Sequence, residues 1–533
     1  MAPMIEDKSP RDGWEVREIG FSCPERYNAS AVLFDNLARG FGYRPAVYCD
    51  AGDMTYAQLC ARASKVGNAL IAQGLGRGDR VMCLLDDHGD YLAVIFGAIR
   101  AGFVPMLINT LSTPDLIRFY LEDSQAKIVF CEAAYRERFD ADALAGTDAQ
   151  RVVVATPGAD GEESLDAFVA DAADELEAAD TQRDEMAFWM YSSGSTGRPK
   201  GVVHLQHDMP YTAEAYAKPL LGLQEGDVCF SVPKIFFAYG FGNSATFPFS
   251  VGAASLLMPQ APKPDAIFEL VARRRPTRFF ALPTLYTALV RHEAAATADF
   301  GSVETCISAA EILSEEIFTA WKTRFGHEIV EGLGSTEVLH IYLSNRIEAK
   351  KLGSAGRRVP GYAIKLCDRD GAEVPQGEEG IMWVRGDSNA PCYWNRPDKT
   401  EETMRDGWIM TGDRFVEDAD GFYFFKGRAD DLVKVSGQWV YPLEVELTLA
   451  NHPAVHECCV LAVELPDRRT SLKAFVVPAA GRTGDDALTK ELQDFVKGAL
   501  VPYKYPRIVE YAESLPKTGT GKLDRAQLKA RPL

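Results

Sequence analysis

The sequence has no CxxC pair, and two of its eleven cysteines, Cys458 and Cys459, are adjacent. Neither a zinc framework nor a regular disulfide scaffold is suggested, and reduced thiols are the plain reading. Basic charge is also scarce. With 57 Lys and Arg against 76 Asp and Glu, the net charge is −19. Such a chain repels nucleic acid and anionic membranes, so neither is expected as a partner, and anionic ligands must be held by local basic groups. No run of eighteen apolar residues occurs, and the start, MAPMIEDKSPRDGWE, lacks the apolar core of a signal sequence. A cytoplasmic protein without a membrane span is expected. The common ATPase loop GxxxxGK[ST] is missing as well.

What is present is ordinary globular composition, 47% hydrophobic and 25% charged, over 533 residues. That length is too great for one core, so two or more domains are expected. The most informative stretch is YSSGSTGRPKG, Tyr191 to Gly201, which follows a short apolar run that reads as a strand. Gly194 and Gly197 let backbone N–H groups approach an anion, Ser192, Ser193, Ser195 and Thr196 add hydroxyl donors, and Lys200 brings charge. This is phosphate-handling chemistry.

From Thr55 the pattern becomes regular. Leu59, Ala63, Val66 and Leu70 share a helical face, and Arg80 to Leu85, Val104 to Ile108 and Lys127 to Cys131 read as strands separated by helices. Strands alternating with helices predict a parallel sheet covered on both faces. Residues 135 to 185 are acidic and read as surface helices and a loop. After Gly201 come strands at Val228, Phe279, Glu304 and Ile329, while KIFFAYGFGN, Lys234 to Asn243, has neither helical nor strand spacing. In doubly wound sheets ligands gather beyond the carboxyl ends of the strands, so the turns at Ser192, Pro283, Ala309 and Gly334 are predicted to line one site. Gly353 to Phe425 reads as antiparallel strands, and Asp430 to Leu533 as a small α+β unit.

Five ordered blocks carry a resemblance: YSSGSTGRPKG; GLGSTE, Gly332 to Glu337; TGD, Thr411 to Asp413; GRADDLVKVSGQWVYPLEVE, Gly427 to Glu446; and PKTGTGKLDR, Pro516 to Arg525. Together they resemble the adenylate-forming superfamily of acyl-CoA synthetases and luciferases, over nearly the whole chain. KIFFAYGFGN with GSTEVLHIYLSN looks most like its benzoate-CoA ligase group. The resemblance implies an α/β fold with a large N-terminal domain, residues 1–429, of doubly wound mixed sheets and a small β-barrel-like part. A small mobile α+β domain, residues 430–533, would follow. It implies two steps: the carboxylate attacks the α-phosphorus of MgATP to give an acyl-adenylate and pyrophosphate, and the thiol of coenzyme A then displaces AMP. Aromatic compound degradation is the implied setting, with a homodimer as one option for assembly.

By the same resemblance Lys522 stabilises the charge that develops during adenylation, and Lys434 is brought to the site in a second conformation. Ser192 to Gly197, Lys200, Ala310, Glu311, Gly332, Gly334, Ser335, Thr336, Asp413 and Arg428 would bind ATP, with Asp413 on the ribose and Arg428 on ribose or phosphate. Glu337 would help hold Mg²⁺, although an acid in the first turn after a Ser-Thr cap explains it too. Asp430 matches the hinge, and Ser436 and Gly437 would meet the pantetheine arm of coenzyme A. The acid would lie among Phe236, Ala238, Tyr239, Gly240, Pro283, Ala309, Gly334, His340 and Ile341. The segment Phe236 to Gly242 has no Asp or Glu, so a substrate ammonium would be left buried and unpaired, which argues against amino acids. His340 orients a ring substituent or the carboxylate, or is a satisfied core histidine. Ala310 stands where similar benzoate ligases usually have glycine, which would narrow the junction between adenylate and acid pocket. The arginines from Arg273 to Arg278 would meet coenzyme A phosphates, or form a solvated helix end. A carrier-protein thiol as acceptor and a non-catalytic adenylate-binding protein are the alternatives.

Overall fold

The computed structural model describes residues 19–155, 163–192, 198–311, 313–429, 433–435, 438–465, 469–501, 504–517 and 523–531. The chain divides into two compact units, Met1–Ile364 with Val384–Met410, and Lys365–Trp383 with Thr411–Leu533.

Two sheets organise the first unit. The six-stranded sheet has the order Arg151–Val154, Ile128–Cys131, Arg80–Leu84, Val104–Leu107, Met186–Ser192, Lys200–Leu205. All neighbours are parallel except the last pair, which is antiparallel. After Arg80–Leu84 the chain adds a strand on one side and then returns to the other, so a topological switch lies between Arg80–Leu84 and Ile128–Cys131. The helix predicted from Leu59, Ala63, Val66 and Leu70 spans Tyr56–Ala72 and buries all four. Its start is set by a reciprocal capping box between Thr55 and Gln58. Each Leu or Val buried on that face contributes about 1.5–3 kcal/mol relative to exposure.

The nine-stranded sheet places Val228–Ser231, Arg278–Ala281, Thr305–Ser308 and Ile329–Gly334 side by side and parallel. Their carboxyl ends are therefore adjacent, and the segments that begin at Pro233, Pro283, Ala309 and Ser335 emerge next to one another. Ile341–Ser344 turns back antiparallel against Ile329–Gly334. Behind this edge Phe279, Tyr286, Phe300, Trp321 and Phe325 interlock, with Trp321 fully buried and 4.7 Å from Tyr286 between ring centroids. Such pairs favour edge-on geometry and stiffen the base on which the turns stand.

Two expectations are corrected. Arg151–Val154, inside the acidic stretch read as surface helices and loop, is the edge strand of the six-stranded sheet. Its RVVV run gains more from sheet pairing than the surrounding composition suggests. KIFFAYGFGN ends in helix: Ala238–Phe241 continues through a wide π turn, Gly242–Thr246, into Phe247–Val251. Gly242 faces the His340 ring at this turn, and a widened turn is a frequent answer to an intruding group.

Further along the chain, Trp408–Glu417 and Tyr423–Arg428 pair antiparallel, as expected for this stretch. A hairpin, Val433–Val435 with Gln438–Val440, follows. A three-stranded sheet of Val455–Glu464, Thr470–Pro478 and Ile508–Tyr511 then packs with helices Pro442–Ala450 and Asp486–Ala499 around Val445, Leu449, Val460, Leu488 and Leu492. The eleven cysteines are all free, as reduced thiols require. Among the described residues no helix is long and apolar enough to cross a membrane.

Candidate active site

One side of the site in the first unit is charged. Ser192 ends its strand and donates from Oγ to Glu337 Oε1 at 3.3 Å, and the Tyr393 hydroxyl donates to the same oxygen at 2.9 Å. Lys200, across the hairpin from Ser192, lies over the Tyr393 ring with Nζ 4.1 Å from the centroid. Burial lowers its pKa, and the Glu337 charge works against that shift. Thr336–Val338 is a single short turn whose carbonyls all have partners outside it. His204 Nε2 lies 2.9 Å from Thr336 O, Ala390 N donates to Glu337 O at 2.8 Å, and Ser388 Oγ donates to Val338 O at 2.8 Å. His204 is fixed in turn by Asp208 Oδ2, 2.8 Å from its Nδ1, and both side chains are fully buried. Ser335 makes no side-chain cap bond although Glu337 does lie in the first turn, and its buried Oγ has no partner among the described residues, which leaves a donor for a ligand oxygen.

The other side is apolar. Phe236 and Ala238 are buried, the Tyr239 hydroxyl donates to Ile307 O at 3.3 Å, and Pro283 opens helix Pro283–Arg291. His340 is enclosed by Tyr216, Tyr239 and Phe247, the last 4.3 Å away edge-on. Burial drives its pKa down to about 3, so the ring is neutral. Nε2 lies 3.4 Å from the Tyr239 carbonyl, which assigns the proton there, and buried Nδ1 has no partner among the described residues. A neutral ring with a bare acceptor suits a donor on a ring substituent better than a carboxylate. Gly332 and Gly334 stand opposite Ser344 and Ile341 in their hairpin, and Ala309 is buried beside Ser308. Ala310 has φ 72°, in the left-handed region. Glu311 Oε2 accepts from Thr284 N at 3.1 Å, tying the Ala309 turn to the start of helix Pro283–Arg291.

In the second unit Asp413 and Arg428 face each other across a strand pair and are joined at 3.1 Å, with Arg428 also donating to Thr411 O at 2.9 Å. Lys434 lies in the hairpin strand opposite Trp439. Its side chain falls outside the described residues, as do Ser193, Gly194, Ser195, Thr196, Gly197, Asp430, Ser436, Gly437 and Lys522. The basic run does not support a coenzyme A phosphate site. Arg273 grips Asp50 with two bonds of 2.7 and 2.8 Å, Arg274 reaches Asp53 at 2.8 Å, and Arg278 is buried against Asp227 at 3.3 Å. These cations are already matched by carboxylates.

The family described as AMP-binding enzyme matches residues 34–394, and its C-terminal domain matches residues 444–522. The chain belongs to the AMP-binding enzyme family. It is 42% identical to a benzoate–CoA ligase of Thauera aromatica, over 95% of this chain and 96% of that one. Identity to a 4-hydroxybenzoate–CoA/benzoate–CoA ligase of Rhodopseudomonas palustris is 38%, over 95% and 94%. Among solved structures, a benzoate CoA ligase from Burkholderia xenovorans superposes with a TM-score of 0.88 at 39% identity, covering 94% of this chain and 100% of that one. An anthranilate CoA ligase in complex with anthranoyl-AMP gives 0.90 at 35% identity, covering 95% and 98%.

Within this AMP-binding enzyme, sequence reasoning missed Tyr393 and His204, which orient Glu337 and its turn. The signals were present but weak: Tyr393 sits in PCYWNRP, which reads as a turn, and His204 interrupts the apolar run VVHL. Among the described residues no group of three or more His, Cys, Asp or Glu could hold a metal by itself. A Mg²⁺ held by one carboxylate, phosphate oxygens and waters would need no such group, and Glu337 accepts from Ser192 and Tyr393 on the same oxygen, Oε1.

Proposed function

We propose that this AMP-forming acid–thiol ligase activates benzoate or a substituted benzoate and transfers the aroyl group to coenzyme A. The observation that carries the reading is the wall of Phe236, Ala238, Tyr239 and neutral His340, apolar and without a carboxylate, on segments adjoining the charged Ser335–Glu337 turn. A flat ring fits such a wall, and its carboxylate belongs at the charged edge. The benzoate and hydroxybenzoate ligases similar to this chain support the same substrate class.

In the first step a carboxylate oxygen bonds to the α-phosphorus of ATP and pyrophosphate leaves. Ser192 to Gly197 and Lys200 cradle the departing phosphates, Thr336 bonds a phosphate, and Ser335 offers its unpaired hydroxyl. Ala310, Glu311, Gly332 and Gly334 border the adenosine, and Asp413 and Arg428 take the ribose. Mg²⁺ bound through Glu337 would neutralise phosphate charge. Lys522 stabilises charge on the reacting carboxylate and α-phosphate. In the second step the sulfur of coenzyme A attacks the acyl carbon and AMP leaves. Lys434, Ser436 and Gly437 serve this step, and Asp430 is the hinge between domains of residues 1–429 and 430–533. The proposal includes a cytoplasmic location, with a homodimer as one option for assembly that light scattering of the purified protein distinguishes from a monomer.

A pyrophosphate-release screen over benzoate, hydroxy-, amino-, halo- and methylbenzoates and aliphatic acids, with and without coenzyme A, tests the reading. Release with aryl acids, and thioester formation only when coenzyme A is present, is expected. A response confined to long aliphatic acids overturns it.

A further inference from the structure

Two charged residues outside the proposed substrate contacts hold the acid-binding segment in place. Asp87 follows strand Arg80–Leu84, on the switch-point side of the six-stranded sheet, and is almost wholly buried. Its Oδ1 accepts from Ile235 N at 3.2 Å, and its Oδ2 lies 4.0 Å from Lys234 Nζ. Ile235 and Lys234 follow Val228–Ser231 of the other sheet. Lys234 Nζ donates onward to the carbonyls of Met258, Pro259 at 3.3 Å and Gln260 at 3.1 Å, just beyond Ala254–Leu256. One carboxylate and one ammonium thus pin three chain segments from two sheets.

The pinned segment is stiff from there on. Phe237 N donates to Lys234 O at 3.0 Å, Phe241 N to Phe237 O at 2.7 Å, and Ser231 Oγ to Pro233 O at 3.0 Å. A methyl on Gly240 would come within 2.0 Å of Lys234 O and 2.4 Å of Pro233 O, so the curl closes on its own anchor. Ile235 and Phe236 are buried in the same apolar core as Leu85 and Tyr91. For simple burial an apolar pair would suffice, because removing two charges from water costs several kcal/mol. A charged pair with defined donors instead fixes position, and what it fixes here is the approach to Phe236, Ala238 and Tyr239.

We propose that Asp87 and Lys234 are positioning residues for the aryl-acid pocket, acting through the backbone of Lys234 to Gly240 and not by touching the substrate. The proposal rests on the reading that Phe236 to Gly240 border the acid. Asp87→Asn, Lys234→Met and the double variant of the full-length enzyme are compared by steady-state kinetics, varying benzoate and ATP separately. The expected result is a rise in KM for benzoate of about tenfold in Lys234→Met and a smaller one in Asp87→Asn, with KM for ATP within about twofold. The double variant should recover part of the loss, since it leaves no unpaired buried charge. The ratio of kcat/KM between benzoate and ring-substituted benzoates should also shift, which mere loss of stability would not cause.

Equal rises in both KM values, or unchanged benzoate kinetics in folded variants, overturn the proposal. If Lys234→Met does not fold, Asp87→Asn decides, because it keeps an acceptor for Ile235 N–H at nearly the same shape and removes the charge that faces Lys234. A wild-type enzyme inert towards every aryl acid would overturn the functional reading itself, and this proposal with it. Failure of the positioning role alone shows only in the variants.

Discussion

The two sides of the site in the first unit treat charge in opposite ways. On the charged side Ser192, Lys200 and Glu337 are only partly buried and gather around Tyr393. On the apolar side Phe236, Ala238 and His340 are buried and neutral, burial pushing the His340 pKa down to about 3. The difference matches the two parts of an aryl carboxylate and its adenylate. In the proposed site charge would be kept where phosphates and water meet, and excluded where a ring displaces water.

The comparison breaks most strongly at the group proposed to carry the charge of the reaction. Lys522→Ala should lower adenylation by roughly 10²–10³-fold. Transfer from a supplied aroyl-adenylate to coenzyme A should survive, because that step no longer builds charge between carboxylate and α-phosphate. Separate assays of ATP–pyrophosphate exchange and of thioester formation check this. Equal loss of both would remove the assignment.

Roles for Glu337 and Asp413 are expected only through the resemblance that their motif strings carry, and Lys200 from the phosphate-handling look of its own string. The gathering of Pro283, Ala309 and Gly334 could be read too, since parallel strands put their carboxyl ends at one edge. Contacts across long separations could not. Arg273 pairs with Asp50, 223 residues away, and composition alone leaves those arginines open to any anion. Tyr393 on Glu337 and Asp87 on Ile235 depend in the same way on how distant segments meet, which no window of sequence contains. The strand Arg151–Val154 was legible in its valines but hidden by acidic neighbours.

Glu331 tests whether the neutral side tolerates charge. Its carboxyl lies in strand Ile329–Gly334, accepts from Leu313 N at 3.0 Å, and is raised by burial to about 7. The folded state thus holds this proton more tightly than the unfolded chain, whose carboxyl titrates near its ordinary value. Stability is therefore greatest below that ordinary value and falls as pH rises through about 7. The full effect is on the order of 3 kcal/mol. Glu331→Gln keeps an acceptor for Leu313 N–H and removes the titration. Denaturant unfolding at pH 5 and pH 8 should show a smaller difference in the variant, and an identical difference in both proteins would mean that Glu331 does not titrate in this range.

Gly242→Ala sharpens the packing side of the comparison. The added methyl would fall 2.2 Å from His340 Cδ2 and 2.5 Å from Nε2, so the ring must move. Overpacking of this kind costs about 1–3 kcal/mol. The displaced ring disturbs the apolar wall and leaves Glu337 and Lys200 where they are, so KM for the aryl acid should rise with KM for ATP unchanged. Thermal unfolding and paired kinetics measure the two consequences, and a rise in KM for ATP alone would contradict the division between the sides.

The smallest expected effect falls where the two sides join. Ala310 occupies φ 72°, a conformation that costs an ordinary L-residue about 1–2 kcal/mol and glycine almost nothing. Ala310→Gly therefore relieves strain while giving the unfolded chain more freedom, and the two terms oppose each other. Net stability should rise by about 1 kcal/mol or less. In the proposed site the methyl would also narrow the junction of adenylate and ring, so its removal should change relative kcat/KM between benzoate and ring-substituted benzoates by a few-fold, about what one methyl in an apolar pocket is worth. Identical ratios in the two proteins would show that Ala310 shapes the backbone without shaping the pocket, and the boundary between the two sides would then lie on the Glu311 side of this residue.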